Sequence, residues 1–186
     1  EGCTILSKAE LEAKLGTQLY HGALREARAG HFHPLNYCLG LARAATSAGA
    51  VIYENSRVLE LDHGPQPWAR TEHGKVSAKF MVVAGNAYLG KTVKQLYGRV
   101  MPVTSFIATT EPLGEDVAQS LIRDNEAVAD TNFILDYFRR TEDNRLLFGG
   151  GANYSTLEPN DVGGFMKRNM VKVFPQLRDV KIEHAW

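Results

Sequence analysis

Apolar residues recur at spacings of three and four through Leu35, Cys38, Leu39, Ala42, Ala45 and Ala48. This spacing predicts an amphipathic helix, with Pro34 at its first position and Gly49 as its C-terminal cap. Its many alanines predict close packing against a sheet, and Cys38 reads as a small buried residue. Upstream, Ser7-Lys8-Ala9-Glu10 has the form of a capping box. A short helix through Leu11 and Leu15, ended by Gly16, is expected after it. Residues 19–24 and 30–32 read as short extended or turn segments.

The period then shortens to two. Segments 51–54, 57–61, 68–71 and 75–84 read as strands with turns at 63–66 and His73-Gly74, a meander beside one buried strand. Val58 falls on the less exposed side of this pattern, and Phe80 to Ala84 is the buried run. Gly85-Asn86 breaks it, and a weak helical piece is expected near 91–97. Further strands are expected at 102–110, 133–139 and 145–148, the last two joined by the turn Glu142-Asp143-Asn144. Helices are expected at 114–122 and 161–174, the second capped by Asn160 or Asp161 and stopped by Pro175. Gly149 to Gly151 reads as an abrupt flexible exit, and 180–186 as a strand with no partner in view. The pattern predicts a mixed α+β fold with a mostly antiparallel sheet and flanking helices.

Composition narrows the function. With 44% hydrophobic residues and 21 basic against 21 acidic side chains, the 186-residue chain has the content of a folded domain and no net basic field. Nucleic acid is therefore not expected as a partner. Lys167, Arg168 and Lys172 read as one wet helix face. The longest apolar runs, 80–84 and 103–110, fall far short of the roughly 20 residues that span a bilayer. No secretory leader is evident among the charged residues at 8–14, and a cytoplasmic enzyme is expected. Cys3 and Cys38 allow at most one disulfide.

Familiar chemistry is sparse. Neither a GxGxxG nor a GxxxxGK[ST] motif is present. The three glycines at 149–151 stand about ten residues ahead of the next helix, too far for a phosphate cradle, and a tight bend is the preferred reading. His31 and His33 share one side of an extended segment and could ligate a metal with His21, but no matching cysteine or carboxylate accompanies them, so no metal is expected. Ser105 and Ser155 lie in no nucleophile elbow. Glu115-Asp116 and Glu142-Asp143 read as a helix start and a turn. Two constellations remain. The strand end at Ala84-Gly85 lets a backbone approach another body, which could be a ligand or another strand. Tyr137 and Arg139 share a strand face that could meet a polar substrate or simply solvent.

Taken together, segments 29–61, 79–90, 102–113 and 136–151, with the terminal KIEHAW, resemble the middle of the FAD-dependent oxidoreductases of the D-amino-acid oxidase and glycine oxidase superfamily. The resemblance covers nearly the whole chain. It implies a partial FAD-binding region with a strand meander at 1–100 and a substrate-domain sheet with helices at 101–186, interleaved. It places an adenosine contact on Val58, and strand-end contacts to FAD on Ala84, Gly85 and Asn86. Tyr137 and Arg139 become candidates for the substrate face.

The implied chemistry is hydride transfer from the amine-bearing carbon of an amine or amino acid to flavin, giving an imine. Dioxygen or another acceptor would then take the electrons, with peroxide from dioxygen. No protein nucleophile is needed. The start at Glu1, the stop at Trp186 and the missing diphosphate motif lead to the expectation of a central region of a longer enzyme, inactive alone and poor at holding FAD. The competing expectation is a non-catalytic binding or structural domain that keeps the same sheet.

Overall fold

The computed structural model describes residues 2–154 and 159–186. In chain order the elements are β1 (Cys3–Ser7), α1 (Lys8–Glu12), β2 (Gly22–Glu26), α2 (Pro34–Ser47), β3 (Glu60–Asp62), β4 (Trp68–Arg70), β5 (Lys75–Ser77), α3 (Lys94–Tyr97), β6 (Thr104–Thr110), α4 (Glu115–Leu121), β7 (Val128–Ala129), β8 (Tyr137–Arg140), β9 (Leu146–Asn153), α5 (Val162–Val173) and β10 (Ile182–Ala185). The α+β character and antiparallel pairing agree with the sequence expectation. The chain forms two compact units, one of residues 1–32 with 103–186 and the other of residues 33–102.

The first unit is built on a five-stranded antiparallel sheet in the order β10-β6-β9-β8-β7. One face is sealed by α5. Met166, Met170 and Val173, spaced four and three apart, are its buried stripe. Asp161 caps the helix by accepting from the backbone N–H of Gly164 at 2.7 Å, and Pro175 follows its end. Phe138 and Phe148, partners across β8 and β9, stack with centroids 5.6 Å apart, and Phe174 meets Phe138 edge-on at 5.1 Å. All three rings are buried, and such pairs add about 0.5–1.5 kcal/mol each beyond the area they remove from water.

An antiparallel hairpin of β1 and β2 precedes this sheet in sequence and belongs to the same unit. Its connection carries the expected capping box: Ser7 and Glu10 satisfy each other's backbone N–H groups. Leu11 and Leu15 enter the core, and Leu15 bridges to Ile122 just beyond α4. The helix itself ends at Glu12, earlier than expected.

Three expectations in this unit are corrected. The glycines at 149–151 are not a flexible exit, because β9 runs through them to Asn153. The terminal segment does find a partner, since β10 pairs with β6. The strand expected from Phe133 begins only at Tyr137; Phe133 is almost wholly exposed, and 130–136 instead forms a loop closed by Asp130. Alternation of apolar residues marked both stretches as extended, but only pairing to β7 and β9 makes the strand.

The second unit holds α2 and a three-stranded antiparallel meander, β3-β4-β5. Helix α2 starts at Pro34 as expected, with His33 as its N-cap. None of its residues is buried, however, and Cys38 is exposed. No sheet covers the alanine-rich face among the described residues of this unit. The run expected as a buried strand is likewise open: β5 ends at Ser77, and Phe80 and Val82 are 87% and 89% exposed. Val58, expected on the protected side, is also exposed. Periodicity reports that a face is apolar; it does not supply the element that covers it.

Candidate functional site

Register fixes which side chains share a surface. Phe138 points to α5, so its neighbours Tyr137 and Arg139 occupy the opposite face of β8. Their partners on β9 are Gly149 and Leu147, whose partners on β6 are Ile107 and Thr109. The face turned away from α5 therefore presents one tyrosine, one arginine, two aliphatic side chains, a threonine and a glycine. The Tyr137 ring lies over Gly149, where a β-carbon would collide with Cε2 and Cζ of the ring. Gly150 is closed against Asp136 and Gly151, at φ +69°, against the rings of Phe165 and Phe106. The glycine run is thus a close-packing device within the sheet, filled by the chain's own atoms.

Arg139 is half-buried and has no carboxylate partner among the described residues. Its Nη1 donates to the backbone carbonyl of Arg140 at 3.3 Å and lies 3.4 Å from Nδ1 of His31. Both acceptors are neutral, so the guanidinium charge is held but not cancelled. On the same face the buried Thr109 hydroxyl has no hydrogen-bond partner among the described residues.

The loop that delivers β8 is shaped by carboxylates. Asp130 Oδ1 accepts from the backbone N–H groups of Asn132 and Asp136, at 3.0 and 3.1 Å, and the Asp130 N–H donates back to the Asp136 carbonyl. Burial, with Asp130 adding to it, pushes the Asp136 carboxyl above its ordinary range. Tyr20 faces the same pair; its hydroxyl is buried without a partner, and burial together with the two aspartates pushes it up to about 12.

The four residues expected at FAD lie in the second unit. Val58 is on the irregular stretch before β3, and Ala84 is on the irregular stretch between β5 and the 3-10 turn at Asn86–Leu89. Gly85 caps a 3-10 turn at Asn86–Leu89, and Asn86 takes a left-handed φ of 48°. A β-carbon on Gly85 would meet the Leu89 side chain, so its small size is used locally as well. Ala84 and Asn86 are exposed, as is Val58. These residues offer backbone amides, one carboxamide and small apolar surface, a chemistry compatible with a nucleoside. No glycine-rich turn opens onto the start of α2, so the described residues of this unit hold no amide cradle for the diphosphate.

Other sequence candidates take ordinary roles. His31 turns to Arg139 and to the Asn125 carbonyl, while His33 caps α2. Among the described residues no three His, Cys, Asp or Glu side chains group as a metal site. Ser105 is exposed on β6, and Ser155 lies outside the described residues. Lys167 donates to the Val180 carbonyl. No helix among the described residues is long and apolar enough to cross a membrane. The contact of His31 with Arg139 was missed in sequence, because the two are 108 residues apart and no local spacing relates them.

The five-stranded sheet is thus sealed by α5 on one face and presents Tyr137 and Arg139 on the other. Residues 1–186 match the family described as FAD dependent oxidoreductase (DAO), and the chain belongs to it. Membership implies FAD for the full-length protein. The chain is 43% identical over 183 residues to gamma-glutamylputrescine oxidoreductase of Escherichia coli (strain K12), covering 98% of this chain and 43% of that protein. It is 39% identical to the probable oxidoreductase OrdL of Haemophilus influenzae, over 96% of this chain and 42% of the relative. The chain thus spans less than half the length of these relatives. Two solved structures share its fold: glycine oxidase from Bacillus cereus, with a TM-score of 0.78 at 17% identity, and L-proline dehydrogenase from P. horikoshii, with 0.76 at 15%. Each is covered over 51% of its chain, by 99% of this one.

Proposed function

We propose that the chain is the central region of an amine- or amino-acid-oxidising flavoenzyme, with Tyr137 and Arg139 on the substrate face. The observation that carries this reading is the half-buried Arg139 guanidinium, which has only neutral acceptors within the described residues. Such a group offers fixed N–H donors to a carboxylate or carbonyl of a bound amine. The Tyr137 hydroxyl, on the same face, offers a second polar contact, and the stretch of sheet beneath the ring at Gly149 is protected from water.

FAD, when bound, would supply the two-electron acceptor for oxidation of the amine to an imine, a conversion that takes a hydride from the carbon and a proton from the nitrogen, with dioxygen or another acceptor receiving the electrons in turn. The residues of this chain bind and orient the amine; none acts as a nucleophile. Val58, Ala84, Gly85 and Asn86 are assigned to the nucleoside end of FAD. Residues 101–186 supply the substrate sheet, and the FAD contacts fall within 1–100. The diphosphate contacts are assigned to sequence outside these 186 residues.

The test is a screen of the full-length protein with gamma-glutamylputrescine and glycine, which carry a carboxylate, and putrescine, which carries none. Peroxide release and reduction of an artificial acceptor are followed in parallel. Turnover of a carboxylate-bearing amine, with its KM strongly raised in R139A, is expected. Turnover indifferent to R139A removes Arg139 from the substrate face, and absence of amine oxidation across a broader panel removes the reaction.

A further inference from the structure

Arg139 is aimed by a histidine, and the atoms around that ring allow only one arrangement of its protons. His31 Nε2 lies 2.8 Å from the backbone carbonyl oxygen of Asn125, which can only accept. Nδ1 of the same ring lies 3.4 Å from Nη1 of Arg139, which can only donate. Both contacts are satisfied together by the neutral ring with its proton on Nε2. Asn125 sits at φ 56°, a left-handed conformation that asparagine tolerates, in the turn between α4 and β7. His31 lies on the segment that leaves β2. Two pieces of chain remote in sequence thus meet at the guanidinium.

We propose that His31, in its Nε2–H form, is a positioning residue for Arg139 in substrate binding. This rests on the reading of Arg139 as a substrate contact. The choice of imidazole has a physical consequence. A carboxylate in its place would pair with the guanidinium bidentately and occupy the donors that a substrate needs. A neutral ring takes one N–H, fixes the direction of the fork and leaves the positive charge whole. The second lock, Nη1 to the Arg140 carbonyl, is also neutral. His31 touches no reacting atom in this arrangement; it acts through Arg139.

The experiment uses the full-length FAD-loaded enzyme with gamma-glutamylputrescine as the probe, or glycine if only glycine is turned over. H31A is expected to raise KM about tenfold with kcat within about twofold, the mark of lost binding rather than lost chemistry. H31N, whose side-chain oxygen still accepts from Arg139, is expected to recover most of that loss. In an R139A background H31A is expected to add nothing, since its effect passes through the missing guanidinium. Independently of turnover, ring-nitrogen NMR of labelled histidine, with the His31 signals assigned by their loss in H31N, is expected to show the proton on Nε2 at mildly alkaline pH. A raised KM in R139A with an unchanged KM in H31A overturns the inference alone. An unchanged KM in R139A removes the substrate reading and this inference with it. An H31A effect of equal size in both backgrounds, or a proton on Nδ1, also overturns it.

Discussion

The ring of Tyr137 lies over Gly149, its partner on the neighbouring strand, and occupies the space that any β-carbon at position 149 would need. This relationship sets the orientation of the Tyr137 ring. G149A is expected to displace the ring at a cost of about 1–3 kcal/mol, the usual range for overpacking. Thermal unfolding checks the stability. In the full-length enzyme the same variant is expected to raise KM for a carboxylate-bearing amine, whereas E72A, in the exposed turn between β4 and β5, leaves it unchanged.

Phe174 closes the aromatic cluster edge-on against Phe138 and is fully buried. F174A is expected to destabilise the first unit by roughly 3–5 kcal/mol, through lost transfer energy and a residual cavity. Denaturant unfolding followed by near-ultraviolet circular dichroism would show it. A loss below about 1 kcal/mol contradicts the packing described.

Tyr20 keeps a buried hydroxyl without a partner, beside Asp130 and Asp136. Removing an unsatisfied buried polar atom is neutral or favourable, so Y20F is expected to match or exceed wild-type stability by up to about 1 kcal/mol. The pH dependence has a definite sign. The folded hydroxyl titrates at about 12, above the ordinary value near 10. Its contribution to stability is therefore whole below about 10 and is lost as pH rises towards about 12. Y20F is expected to flatten that alkaline loss in pH-resolved melting curves.

Arg145 joins the β8–β9 hairpin to the edge of the sheet. It donates to the Thr110 carbonyl at 2.9 Å and to the carboxylates of Asp143 and Glu183. Its hydrogen bonds hold the Glu183 carboxyl below the usual range, and Thr141 followed by Arg145 does the same for Asp143. Depressed carboxyls stabilise the fold above their unfolded pKa values and lose that contribution as pH falls through the folded ones. E183Q is therefore expected to lower Tm at neutral pH and to converge with wild type in acid.

Much of this architecture was legible in the sequence because its causes are local. The Ser7–Glu10 capping box, the start of α2 at Pro34, the turn at Asn144 with φ 58° and the Asp161 cap each depend on residues within one turn. The placement of Tyr137 and Arg139 on one face follows from strand alternation alone. What escaped depends on partners far along the chain. The pairing of β10 with β6, the passage of β9 through three glycines and the turn of His31 towards Arg139 are set by tertiary packing. The apolar spacing of α2 and of 80–84 marks a face without supplying the element that would bury it. The first unit buries a core of its own, while α2 and the 80–84 run leave most of their apolar residues exposed and bury none fully.

The most direct test of the central claim is a spectrum. The full-length protein, purified without added cofactor, is mixed with gamma-glutamylputrescine or glycine in the absence of oxygen, and its visible flavin absorbance is recorded. Bound flavin that bleaches on addition of the amine, with bleaching shifted to much higher amine concentration in R139A, is the predicted result. A protein that carries no flavin and binds none when FAD is supplied, or whose flavin stays oxidised with every amine and amino acid offered, contradicts the account.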